Sequence, residues 1–182
     1  VQPNPRLSLV QKGIELARSE KVDLVLALGG GSVIDSAKAI AVGVPADCPV
    51  WDFYIGKSSP KAALPVASIL TIPAAGSESS NSSVISNEDG DLKKGLTTDL
   101  IYPVFSILNP EFCFTIPAWQ LGAGASDIMA HLMERYFTNS KPVDFTDSLL
   151  EAAMRSIVNV CPRVLSKRDD YDAWAEFMLT GQ

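Results

Sequence analysis

Apolar residues recur at helical spacing over Leu7 to Ser19, with Leu9, Val10, Ile14, Leu16 and Ala17 on the repeating positions. An unbroken apolar run, Val22 to Leu28, follows at once and predicts a buried strand. Helix followed by buried strand points to a parallel sheet. Ser32 to Val42 predicts the next helix, and Gly43 to Pro60, rich in Pro, Asp and aromatic residues, predicts a long connection. Further strands are expected at Pro65–Ile72, Ser82–Ser86 and Tyr102–Leu108, with turn chemistry at Asn87–Gly90 and two lysines, Lys93 and Lys94, in the segment Leu92–Gly95. Beyond Pro117 the pattern is helical only, over Ala118–Phe137, Phe145–Val158 and Tyr171–Thr180. These elements predict an α/β portion, 1–115, followed by an all-α portion, 116–182, with the boundary between Asn109 and Pro117.

Composition narrows what such a chain can bind. A net charge of -6 and an acidic pI argue against nucleic acid or an anionic membrane surface as the main partner, and favour a small metabolite or cofactor. No apolar run approaches the roughly 20 residues that span a bilayer, so a cytoplasmic location is the expectation. Cys48, Cys113 and Cys161 are odd in number and widely separated, which predicts neither a disulfide framework nor a zinc knuckle. Both ends read as cut. The chain opens at Val1 without a methionine, enters the turn-like Gln2-Pro3-Asn4-Pro5, and stops at Gln182 just after a helical segment, so a fragment is expected.

Two segments carry chemistry. The first is Leu28-Gly29-Gly30-Gly31-Ser32-Val33-Ile34-Asp35, a strand that delivers a glycine turn into a helix. Glycines let the backbone approach an anion, and the helix start aims unpaired N–H groups and a positive dipole end at it. The same residues also fit a Ser32-x-x-Asp35 helix cap with no ligand at all. A second loop at a strand end, Pro73 to Asn81, is small and polar, as ligand loops of open α/β sheets are. The other chemical segment runs from Gly122 to Phe137. On a helix, Asp127 and His131 share a face, so a carboxylate oxygen and an imidazole nitrogen can converge on a divalent cation; the alternative is a plain Asp–His pair with Glu134 as a neighbour. His131 is the only histidine.

In this order and spacing the segments resemble the iron-containing (group III) alcohol dehydrogenase family, particularly its butanol dehydrogenase-like branch. The resemblance rests on Pro3-Asn4-Pro5, Gly29 to Ala41, Trp51-Asp52-Phe53-Tyr54, Thr71 to Glu78, Lys93-Lys94-Gly95 and Gly124 to Phe137. It implies a Rossmann-like nucleotide-binding domain and the start of a metal-binding helical domain, both incomplete. It further implies that Gly30, Gly31 and Ser32 hold the cofactor pyrophosphate, with Asp35 near the nicotinamide end. Thr71 and the loop to Ser77 correspond to a second cofactor turn, and Lys93 to a lysine on the ribose side, although a solvated surface charge reads equally well. Asp127 and His131 match the first two metal ligands, and two further histidines are expected beyond Gln182. The implied reaction is hydride transfer between NADP or NAD, with NADP favoured, and a small alcohol or aldehyde polarised by iron or zinc. Groups that read the adenosine ribose are expected upstream of Val1. A homodimer is compatible with the resemblance, and neither nucleic acid nor membrane is expected as partner. Two departures stand out: Asn109 where the family often has Asp, and Pro73-Ala74-Ala75 in place of a Gly-Thr type sequence. The alternatives are a dehydroquinate synthase-like lyase of related fold, or a nucleotide-binding remnant without catalysis. The isolated 182-residue chain is expected to be inactive.

Overall fold

The computed structural model describes residues 4–140 and 142–182. Of the turn expected at Gln2–Pro5, residues 2 and 3 lie outside that range. The helices are α1 (Leu7–Ser19), α2 (Gly31–Gly43), α3 (Trp51–Tyr54), α4 (Ala118–Tyr136), α5 (Asp144–Ser166) and α6 (Tyr171–Thr180). The strands are β1 (Val25–Gly30), β2 (Val66–Ile72), β3 (Ser82–Asn87), β4 (Leu92–Thr97) and β5 (Pro103–Ile107). Strands β1, β2 and β5 form one sheet in the order β1-β2-β5, with β2 and β5 parallel; β3 and β4 form an antiparallel hairpin. The expected architecture, a parallel sheet with helices followed by helices alone, is the architecture found.

The residues group into two compact units. The first runs to Leu70 and resumes over Ser77–Ile107; the second comprises Thr71–Gly76 and Leu108–Gln182.

In the first unit the apolar stripe of α1, Val10 and Ile14 above all, packs with Ala39 and Val42 of α2, Phe53 and Tyr54 of α3, and Ile85 and Leu96 of the hairpin. Strand β1 begins later than its apolar run suggests. Lys21 turns the chain out of α1 in a left-handed conformation and the Val22 amide still bonds back to the Ala17 carbonyl, so residues 22–24 are spent leaving the helix. The strand then continues through Gly30, and it is buried at Ala27 while Leu26 and Leu28 are exposed. The long connection also holds a structured turn, because α3 stacks Trp51 on Tyr54 with ring centroids 5.9 Å apart.

In the second unit α5 packs against both α4 and α6. Its buried stripe Leu150, Ile157, Val160 and Val164 carries the helix eight residues past Val158, through Pro162. Trp174, fully buried, meets Phe177 edge-on at 5.6 Å and caps this core. Gly124 allows α4 to pass close to the preceding loop, since a Cβ there would stand 3.0 Å from the Pro73 carbonyl oxygen. Asn109 does the capping work that Asp would do, its side chain accepting from the Glu111 amide at 3.1 Å. Among the described residues no helix is long and apolar enough to cross a membrane.

Candidate functional site

Strand β1 ends at Gly30 and α2 starts at Gly31, so the helix head stands directly at the strand end. Gly30 is the N-cap residue, and no side chain caps the helix. This removes the Ser32–Asp35 cap as an explanation of the sequence. The helix opens one residue before Ser32, and the Asp35 carboxylate points away from the first turn, to other partners. The N-terminal amides of α2 therefore remain for water or an anion. A Cβ built on Gly31 would meet nothing within 4 Å, so that glycine is not demanded by packing.

Asp35, one turn on, accepts from the Ser77 hydroxyl at 2.6 Å through Oδ1 and from the Val84 amide at 2.9 Å through Oδ2. Burial pushes its carboxyl above the usual range, opposed by these two donors and by the positive charges of Lys38 and Lys93. The structure thus joins Asp35 and Ser77 directly, beside the Gly30–Ser32 turn on the same helix. Lys93 lies on exposed β4, cross-strand from Ser86, with its charge felt at Asp35. Thr71 belongs to the second unit, where its carbonyl accepts the Cys113 thiol at 3.6 Å.

Sequence reasoning missed three groups here. Lys38 is completely buried, and its ammonium faces the carbonyls of Ser77, Ser80 and Ser82. Burial lowers it to about 8, against the attraction of Asp35 and Glu78. Glu78 is also buried, which raises its carboxyl. The Tyr54 hydroxyl shares a 2.7 Å hydrogen bond with Ser83, whose hydroxyl donates to the Asp35 carbonyl at 2.9 Å. One signal was available for Lys38: it sits four residues from both Ile34 and Val42, on the buried stripe of α2.

On α4, one turn apart, His131 Nε2 stands 3.7 Å from Asp127 Oδ1, and His131 Nδ1 is 4.0 Å from Glu134. The Asp127 and His131 side chains are 48% and 41% exposed, open enough to take a shared cation. Among the described residues no group of three or more His, Cys, Asp or Glu side chains converges for a metal. Asp127 and His131 thus offer one oxygen and one nitrogen donor on a shared helix face, short of a complete metal site among the described residues.

The family model described as iron-containing alcohol dehydrogenase matches residues 1–110. The chain is 44% identical over 178 residues to the NADH-dependent butanol dehydrogenase A of Clostridium acetobutylicum, covering 98% of this chain and 46% of that protein. It is 34% identical over 183 residues to the NADPH-dependent aldehyde reductase YqhD of Escherichia coli, covering 98% and 47%. The crystal structure of NADH-dependent butanol dehydrogenase A from Thermotoga maritima superposes with a TM-score of 0.96 at 41% identity, covering all of this chain and 45% of that one. With its glycine turn at the head of α2 and this match over most of its length, the chain belongs to the iron-containing alcohol dehydrogenase family. It spans about half the length of the curated relatives it matches.

Proposed function

We propose that the intact protein transfers hydride between a nicotinamide cofactor and a small alcohol or aldehyde, with a divalent metal such as iron or zinc. The observation that carries this reading is the uncapped head of α2, delivered by β1 and flanked by the joined pair Asp35 and Ser77. The amides after Gly30, together with Ser32, hold the cofactor pyrophosphate. Asp35, with Ser77 fixed on it, borders the nicotinamide end; Thr71 and Lys93 complete the cofactor contacts. Residues 1–115 serve as the cofactor domain and 116–182 as the start of the catalytic domain.

Asp127 and His131 would hold the metal with ligands from elsewhere in the protein. When bound, it supplies Lewis-acid polarisation of the substrate oxygen. The chain's own residues bind and orient: the α2 head fixes one end of the cofactor, and the α4 face offers one oxygen and one nitrogen donor.

The relatives' names favour a dehydrogenase over a lyase, and they divide between NADH and NADPH. The butanol dehydrogenases among them are named NADH-dependent and the aldehyde reductase NADPH-dependent, so a direct comparison of the two cofactors tests the expected preference for NADPH. The three free cysteines suit a reducing, cytoplasmic setting. A homodimer also remains part of the reading.

The deciding experiment titrates the intact protein with NADH and NADPH by fluorescence, then assays butyraldehyde reduction before and after exhaustive chelation. Cofactor binding together with activity lost to the chelator and restored by iron or zinc supports the reading. Full activity after complete metal removal would exclude the metal. Asp127→Ala and His131→Ala should each abolish turnover and lower metal content while leaving cofactor affinity near wild type; wild-type rates in either would remove that residue from the metal site.

A further inference from the structure

The loop Ser77–Ser82 is wrapped around a positive charge that belongs to the protein. Lys38 Nζ lies 2.6 Å from the Ser77 carbonyl oxygen, 2.7 Å from that of Ser80 and 2.9 Å from that of Ser82. The hydroxyls of Ser77 and Ser80 stand at 3.3 Å each. Three carbonyls converging on one nitrogen take all three protons of an ammonium, and five oxygens surround it as they would a bound potassium or ammonium ion. Among the described residues no carboxylate makes a direct bond to it, although Asp35 and Glu78 are near enough to favour its charge.

We propose that Lys38 is a positioning residue of the cofactor site, its ammonium taking the place of a bound monovalent cation in this carbonyl nest and so setting the Ser77 hydroxyl on the Asp35 carboxylate. This rests on the reading that Gly30–Ser32, Asp35 and Ser77 face the cofactor. The linkage is continuous. Lys38 Nζ meets Ser77 Oγ, and Ser77 Oγ donates to Asp35 Oδ1 at 2.6 Å. Without the ammonium, three carbonyl oxygens are left facing one another with no donor between them. Such a turn opens toward water rather than keep buried acceptors unpaired. Ser77 leaves with it, and Asp35 loses one of its two donors. Ser79 is exposed and Ser80 half-buried, so a small cation from solvent can reach the nest.

The test uses the intact protein with Lys38→Ala, which leaves the nest vacant, and Lys38→Met, which fills the channel with an uncharged chain. Two quantities are read: amide exchange over residues 77–84 and NAD(P)H affinity by fluorescence titration. Both variants should lose protection across that segment and about tenfold or more in cofactor affinity, with kcat at saturating cofactor changed far less. Ethylammonium or potassium should restore both quantities in Lys38→Ala and neither in Lys38→Met. Wild-type exchange in Lys38→Met overturns the proposal, as does lost affinity with the segment still fully protected. If the wild-type protein binds no nicotinamide cofactor, the functional reading fails, and exchange with cation rescue still decides the nest. Should Lys38→Met not accumulate as folded protein, Lys38→Arg decides, since a guanidinium keeps the charge but cannot place one nitrogen on three converging carbonyls. Wild-type cofactor affinity in that variant overturns the proposal.

Discussion

At the scale of single residues, Gly31 separates packing from ligand binding. A Cβ there meets nothing within 4 Å among the described residues, and alanine is the better helix former. Gly31→Ala should therefore keep or raise stability, by up to about 1 kcal/mol, while weakening NAD(P)H by about tenfold. A calorimetric melt and a fluorescence titration check both halves; unchanged affinity would mean that the α2 head does not meet a phosphate. Lys38 adds a pH prediction. Burial lowers its ammonium to about 8. The neutral amine above that pH has two N–H donors for three carbonyls, so amide protection factors over residues 77–84 should fall as pH rises through about 8 in the wild type and stay level in Lys38→Met. The glycine turn and the Asp127–His131 pair were legible because residue type and spacing alone state their chemistry. Lys38 was not, since nothing local says which carbonyls a buried lysine will meet forty residues further on.

At the scale of elements, period and punctuation placed all but one of the helices and most of the strand cores, and failed where a neighbour decides. Strand β1 gave up three residues to the exit of α1, and α5 outran its expected end. Pro162 lies inside α5, but Val160 and Val164 continue the buried stripe on either side of it, and their burial outweighs the backbone bond that proline cannot donate. The side chain of Pro162 is exposed. Pro162→Ala should accordingly stabilise the protein by about 1 kcal/mol or more, seen as a higher denaturant midpoint at unchanged slope. The one-turn helix α3 has no periodicity to detect, because four residues are too few to show it.

For the whole molecule, the three cysteines offer a test of packing independent of any ligand. Cys113 is fully buried, and burial alone pushes its thiol up to about 12, so almost no thiolate exists at neutral pH. Cys48 and Cys161 are half-buried. Under native conditions a disulfide reagent should modify Cys48 and Cys161 in minutes and Cys113 only on global unfolding, with mass spectrometry assigning the sites. Rapid labelling of Cys113 would contradict its placement beneath the Thr71 carbonyl. The tryptophans extend this to optics. Trp174 is fully enclosed in the core of the second unit, Trp51 is half-buried on Tyr54 in the first, and Trp119 is 82% exposed. An enclosed indole emits at shorter wavelength than a hydrated one, so Trp174 serves as a built-in lamp for the helical core alone. With Trp119 replaced by phenylalanine, a red shift from Trp174 and a loss of Trp51–Tyr54 stacking become separate signals, one for each unit. Their coincidence or separation in a single melt would show whether the two halves of the chain unfold together.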